Sequence, residues 1–382
     1  MSKTKQTDNK MKFIVSTGAL LKQLSLIDGV VSTNTVLPIL EDFLFEIKKS
    51  KLTVFSTDLE TSMSTTLDVE AKEDGKIAIP ARMLMNILKS LPEQPLTFSI
   101  DEQSYAIEIT SDNGKYKLTG ENGDDYPRIP VAEDIKDIKI SSSVLKNAIN
   151  KCLFAVGTDD LRPAMTGVNF ELTTEGITFV STDAHKLVRF KRFDTRSATS
   201  ASFIVPRKAL QLVNGALPSE DTQVNLSYNN SNAFFSFGTV NLICRLIDAR
   251  FPDYNAVIPT DNPNKLIIGA NEILNSLRRL IIFSNKTTHQ VTFELKGSEL
   301  TITARDLDFS NEATEKLVCN YNGDDIEISF NGRFLSEILS ALSTDEVKFE
   351  FSTPTRASLI SPTAGDDKED TLMLVMPIMV NN

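Results

Sequence analysis

The chain has 382 residues, of which 41% are hydrophobic and 24% charged, and a net charge of −11. That length exceeds what one ordinary core fills and predicts about three domains of roughly 100–150 residues. No apolar run is long enough to span a membrane, and the polar opening MSKTKQTDNK lacks the apolar centre of a signal peptide, so a cytoplasmic location is expected.

The leader, residues 1–10, is expected to stay outside the fold. A short strand, MKFIV, then precedes a predicted helix from Thr17 to Val30 that buries Leu20, Leu21, Leu24 and Ile27. Strand-like runs DFLFEIKK, KLTVFST, SMSTTLDVE and KIAIP lead to a second predicted helix, Ala81 to Leu91. PLTFSI, YAIEIT and KYKLTG follow, the last two joined by the hairpin signal SDNG. After the acidic linker ENGDDYPRIP the plan repeats from about Ile138. A helix from Ser143 to Val156 turns Val144, Leu145, Ala148, Ile149, Cys152 and Leu153 inward. VNFEL, ITFVST and ASFIVP lead to a helix from Arg207 to Leu217, and QVNLSY, AFFSF and NLICRLID close the set. RFPDYNAVIP marks the next boundary. The third copy begins near Lys265, has helices Asn271 to Phe283 and Gly332 to Leu342, and ends in TLMLVMPI.

The repeat is legible in matched segments. LTVFSTDLETSM, TFVSTDAHKLVRF and LTITARDLDFSN each run from strand-type residues into a polar turn with an aspartate, and Asp58, Asp183 and Asp306 stand 125 and 123 residues apart. About two dozen residues later come IAIPARMLMNILKSL, FIVPRKALQLVNGAL and EISFNGRFLSEILSAL. Their apolar positions share one helical register: Met83, Leu84, Ile87 and Leu91; Ala209, Leu210, Val213 and Leu217; Phe334, Leu335, Ile338 and Leu342. A proline starts two of these helices. The fold class read from this pattern is α+β, three repeated domains over 11–130, 131–260 and 261–382, each with two helices and about eight strands, both helices on one side of the sheets.

The three cysteines, Cys152, Cys244 and Cys319, lie far apart in apolar stretches without a CxxC or CxxH neighbour and read as buried free thiols. With only two histidines, neither a metal nor a cofactor is expected. Charge is segregated. The six predicted helices together carry +7 although the chain carries −11, through Lys22, Arg82, Lys89, Lys146, Lys151, Arg207, Lys208, Arg278, Arg279 and Arg333. Each of these could be a solvated surface residue. Together they form a basic helical face on an acidic body, without an aromatic series for stacking single-stranded bases, and suit duplex phosphates bound weakly and without sequence preference.

The repeat plan, MKFIV with LPIL, STDAHKL, RFPDY and the terminal VMPI resemble the bacterial sliding clamp, the beta subunit of DNA polymerase III, over Met11 to about Val380. The resemblance implies a non-catalytic processivity factor. Its partners would be double-stranded DNA, a second copy in a head-to-tail homodimer, and the replicative polymerase subunit, clamp loader and repair proteins. Six domains would close a ring with the helices lining the hole. Twelve helices about 10 Å apart give an axis-to-axis diameter near 38 Å, which passes a duplex. By resemblance, Tyr116 and Leu118 would meet the partner's Ile282 and Phe283. A pocket for partner peptides would be formed by Arg162, Met165, Thr182, His185, Lys186, Leu187, Pro252, Val257, Leu374, Met376, Pro377 and Ile378. Ala184 stands where relatives often have glycine, Pro163 and Ala164 where they often have aromatics, and Asn34 where they carry a basic DNA contact. Asn381 and Asn382 extend beyond the family's end.

Two other readings compete. Asp183 and His185, two apart in an extended segment, could form an acid–base pair, although Asp58 and Asp306 recur without a histidine and so read as turn caps. No phosphate loop, zinc signature or nucleophile elbow supports an enzyme. A repeat scaffold that binds only proteins is the second, and the charge segregation argues against it.

Overall fold

The computed structural model describes residues 10–32 and 36–379. Most of the predicted leader, together with Asn34, Asn381 and Asn382, lies outside the described residues. Among the described residues six α-helices form: α1 (Thr17–Ile27), α2 (Ala81–Ser90), α3 (Ser142–Cys152), α4 (Arg207–Ala216), α5 (Ala270–Leu280) and α6 (Gly332–Ala341). The predicted helices were longer at their C-terminal ends because Asp28–Val30, Leu153–Ala155 and Ile281–Phe283 tighten into 3₁₀ turns there. Carboxylates from distant segments cap the first helix of two repeats. Glu93 accepts from the Gly18 amide (2.7 Å), and Asp221 accepts from the Ser143 amide (3.0 Å) and the Ser142 hydroxyl (3.2 Å). Asn331 caps α6 through the Arg333 amide (3.0 Å).

The chain divides into two compact units, one containing the chain up to Ser143 and Lys208–Leu246, the other Val144–Arg207 and the chain from Ile247. Both are built from antiparallel sheets. In the first, a five-stranded sheet orders Glu70–Ala71, Lys10–Ser16, Pro95–Asp101, Ala106–Thr110 and Lys115–Thr119. A nine-stranded sheet orders Glu121–Asn122, Gly75–Pro80, Asp42–Lys48, Lys51–Thr57 and Thr61–Asp68, then Val240–Arg245, Asn232–Phe237, Gln223–Tyr228 and Lys136–Ser141. In the second unit, a nine-stranded sheet orders Ala201–Pro206, Gly167–Leu172, Ile177–Thr182 and Lys186–Arg192, then Glu369–Val375, Ser358–Pro362, Glu346–Phe351, Asn264–Gly269 and Asn320–Asn322. A four-stranded sheet orders Asn311–Val318, Glu299–Asp306, Gln290–Lys296 and Ile326–Asn331. Each nine-stranded sheet thus joins five strands of one repeat to four of its neighbour, through Thr61–Asp68 against Val240–Arg245 and through Lys186–Arg192 against Glu369–Val375. The second repeat contributes one half-sheet to each unit.

Alternating strands send one face inward, and phenylalanines fill it. Phe13 and Phe98 stack at 4.6 Å beside Phe45 in the first unit, and Phe293, Phe330, Phe349 and Phe351 form the corresponding cluster in the second. All of these rings are fully buried, each worth about 3 kcal/mol at most in transfer free energy. One predicted helical face is displaced. α2 buries Ala81, Leu84, Met85 and Leu88, whereas Met83 is 54% exposed. Cys152, Cys244 and Cys319 are buried free thiols, and burial pushes the first two up to about 12.

Candidate nucleic-acid interface, peptide groove and sheet edges

The three repeated aspartates cap turns. Asp58 Oδ1 accepts from the Glu60 (3.0 Å) and Thr61 (2.6 Å) amides, Asp183 Oδ1 from the His185 (2.9 Å) and Lys186 (2.9 Å) amides, and Asp306 Oδ1 from the Asp308 amide (3.2 Å). The first two turns hold Leu59 and Ala184 at φ 77° and 74°. The same geometry removes the acid–base pair. Asp183 meets the His185 backbone, its other oxygen takes the Lys186 ammonium (2.8 Å), and the His185 ring stacks on Phe334 with centroids 6.0 Å apart.

Of the ten helix cations, Lys22, Arg82, Lys89, Arg278 and Arg333 are exposed, and Lys146 and Arg207 half-buried. Lys208 is exposed and pairs with Asp58, and Arg279 forms a bidentate pair with Glu315 (2.7 and 2.6 Å). That hydrogen bond holds the Glu315 carboxyl below its ordinary range. Lys151 does not belong with them. Its side chain is 8% exposed, its ammonium bonds Glu369 (2.9 Å) and Thr371 (3.0 Å) and lies 4.4 Å from the centre of the Phe190 ring. A buried, paired ammonium has nothing to offer a phosphate, so Lys151 is not part of the exposed basic face. Arg192 joins the same cluster, bonding Glu369 (2.9 Å) and forking onto Asp194 (3.0 and 2.6 Å).

The residues expected to form a peptide pocket all fall in the second unit. Strand pairing sets Leu187 opposite Leu374 and Lys186 opposite Val375, and the Met376 amide donates to His185 O (2.8 Å), carrying Met376, Pro377 and Ile378 past the Asp183 turn. Leu187 and Leu374 are buried with Val180, Tyr254, Ala357 and Leu359, against which Phe251, Ile258 and Leu372 pack. Apolar surface remains at Val257 (55% exposed) and Met376 (38%), with Met165, Pro252, Pro377 and Ile378 half-buried. Arg162 is exposed and paired with Asp159 (2.9 Å), and Met165 O accepts from the Gly157 amide (2.8 Å). Thr182 and Lys186 are buried. The Thr182 hydroxyl donates to Lys186 O (2.8 Å), and the Lys186 ammonium also meets Glu337 (3.1 Å) over the Phe334 ring, 4.1 Å from its centre. Sequence reading missed Phe334, Glu337 and Tyr254, since nothing in the spacing of a 3.6-residue or two-residue period links them to His185.

Two of the terminal strands bear on the expected contact with a second copy. Lys115–Thr119 ends the five-stranded sheet with Tyr116 and Leu118 half-buried on its inner face, and Asn311–Val318 ends the four-stranded sheet. Ile282 (65% exposed) and Phe283 (40%) follow α5 in the same unit as the second edge.

The sequence matches three family descriptions in order: DNA polymerase III beta subunit N-terminal domain over residues 11–130, central domain over 139–253 and C-terminal domain over 255–378. Among curated relatives, the beta sliding clamp of Pseudomonas aeruginosa is 29% identical over 373 residues, 96% of this chain and all of that one, and that of Staphylococcus epidermidis is 27% identical over 377 residues, 96% of this chain and 99% of the relative. A solved structure of the Pseudomonas aeruginosa clamp bound to griselimycin superposes with a TM-score of 0.91 at 27% identity, covering 97% of this chain and all of that one.

Proposed function

The chain belongs to the DNA polymerase III beta subunit family, a non-catalytic processivity subunit, and from that premise we propose that two copies close head to tail around duplex DNA in the cytoplasm. The observation that carries this is the bookkeeping of half-sheets. Two junctions inside the chain each join five strands to four, and the remaining five and the remaining four end in the unpaired edges Lys115–Thr119 and Asn311–Val318. A third junction of the same kind needs a second chain, and two such junctions close a six-repeat ring.

The internal junctions also supply a register. Thr61 lies opposite Cys244 and Lys186 opposite Val375, and the next amide donates back across, Arg245 to Glu60 O (2.9 Å) and Met376 to His185 O (2.8 Å). Asn311 closes the third aspartate turn as Thr61 and Lys186 close the others. Leu118 corresponds to Cys244, because Gly120 N to Tyr105 O (2.9 Å) matches Leu246 N to Ser231 O (2.8 Å). The intermolecular ladder therefore sets Asn311 opposite Leu118, Glu312 opposite Lys117 and Ala313 opposite Tyr116, an opposite-charge pair on one face and inner-face residues on the other. Ile282 and Phe283 complete the apolar side.

The exposed helix cations, led by Lys22, Lys89 and Arg278, contact phosphates weakly enough to slide, while ring closure prevents escape. The groove at Val257, Met376, Pro377 and Ile378 takes short apolar peptides of the polymerase subunit, clamp loader and repair proteins, methionine adapting to different ligands. Light scattering across a dilution series tests the assembly. A particle of twice 42.3 kDa is expected, and one chain at every concentration would refute it.

A further inference from the structure

We propose that the Asp306 turn is an apolar clasp, Leu307 and Phe309 closing over Met83 at the start of α2 in a second copy of this chain. The inference rests on the head-to-tail reading and assigns it a contact which that reading does not contain.

Leu307 and Phe309 are 87% and 71% exposed. They lie in a turn longer than its counterparts. Four residues separate Asp306 from Asn311, whereas only Leu59 and Glu60 separate Asp58 from Thr61, and only Ala184 and His185 separate Asp183 from Lys186. At each internal junction this turn reaches the first residues of the following repeat's second helix. Asp58 pairs with Lys208, the second residue of α4, and His185 stacks on Phe334, the third residue of α6, with centroids 6.0 Å apart. The third turn has no following helix in its own chain. In repeat order its counterpart is α2 of another copy, whose second and third residues are Arg82 and Met83.

Met83 fits the role. The matching third residue of α4, Ala209, is buried, and that of α6, Phe334, is half-buried beneath His185, yet Met83 stands 54% exposed on a helix whose other apolar residues turn inward. Three large apolar side chains thus stand open at the two places that the repeat order brings together, and such exposed residues beside an unpaired sheet edge mark an interaction surface. Charge agrees, since exposed Asp308 in the turn faces exposed Arg82. The two extra residues supply the reach, and a methionine supplies a surface that adapts to an aromatic ring.

Cross-linking tests this in the full chain, whose own cysteines are buried. Met83→Cys combined with Phe309→Cys is expected to run as a covalent two-chain species on a denaturing gel after oxidation, and Lys117→Cys combined with Glu312→Cys reports the strand register separately. Linking at the register pair without linking at 83 and 309 would overturn the clasp and leave the head-to-tail reading standing. No linking at either pair, with one chain's mass at every concentration, would remove both. Leu307→Ser with Phe309→Ser is expected to speed chain exchange between dimers about tenfold with an unchanged thermal midpoint; an unchanged exchange rate would also overturn the clasp.

Discussion

Replacing Glu369 by alanine strips the buried cluster of the carboxylate that holds two cations. Lys151 and Arg192 have side chains 8% and 10% exposed, and Glu369 bonds each at 2.9 Å through separate oxygens. Arg192 keeps its fork onto Asp194, so it retains a counter-charge. Lys151 keeps only the Thr371 hydroxyl and the Phe190 face, neither of which neutralises it. Breaking one partner of a buried pair costs about 3–5 kcal/mol, and the surviving Arg192–Asp194 pair puts the expected loss near the lower end, about 3 kcal/mol. Urea unfolding followed by circular dichroism reads this as a lowered midpoint for the second unit's transition. Lys151→Met in the same background removes the stranded charge and is expected to restore most of the loss, because a hydrophobic side chain of similar length fits beside Phe190. A Glu369→Ala loss below about 1 kcal/mol, or no recovery with Lys151→Met, would refute the assignment of Lys151 to the interior.

Ala184→Gly relieves a left-handed residue at φ 74° and is expected to stabilise the second unit by about 1 kcal/mol, measured by the same urea transition. Asp42 is buried with an unpaired Oδ2, and burial, reinforced by Glu121 and Glu41, pushes its carboxyl up to about 7. Because the folded state holds this proton more tightly than the unfolded one, stability from Asp42 is full at acid pH and is lost as pH rises towards 7. Asp42→Asn should therefore raise the thermal midpoint at pH 8 and lose that advantage by pH 4, a gap that calorimetry at the two pH values reads. Met376→Ala with Pro377→Ala should abolish binding of short apolar partner peptides by calorimetry, while leaving the two-chain mass unchanged. Replacing Lys22, Lys89 or Arg278 singly by glutamine should lower the slope of log affinity for duplex against log salt by about one each, equally for unrelated sequences.

The repeat was legible because its signals are local. An aspartate two or three residues from the amides it caps and a helix read at 3.6 residues per turn need no knowledge of distant chain. Lys151 shows where the same periodicity was under-used. It lies three residues after Ala148 and seven after Val144, on the edge of the buried stripe of α3, so its position already pointed inward. What it meets, Glu369, is 218 residues away and leaves no trace in local pattern. Met83 misled in the opposite direction, because an apolar residue in a helical register was counted as core although Ala81, Leu84, Met85 and Leu88 fill that face. The groove is intermediate. Its strand-end residues follow the repeat, but Tyr254 enters from another element to pack with Leu187 and Leu374, and Phe334 meets His185 and Lys186 only in the folded chain.

Whether enclosure holds the chain on DNA is tested most directly by retention on a circle. The protein is assembled on a nicked circular plasmid by concentrating the two together, then passed over a sizing column in high salt before and after a single restriction cut. Enclosure predicts that protein elutes with the intact circle and is released by the cut, since a linear duplex offers ends to slide from. Equal retention on the circle and on the linear form would contradict it.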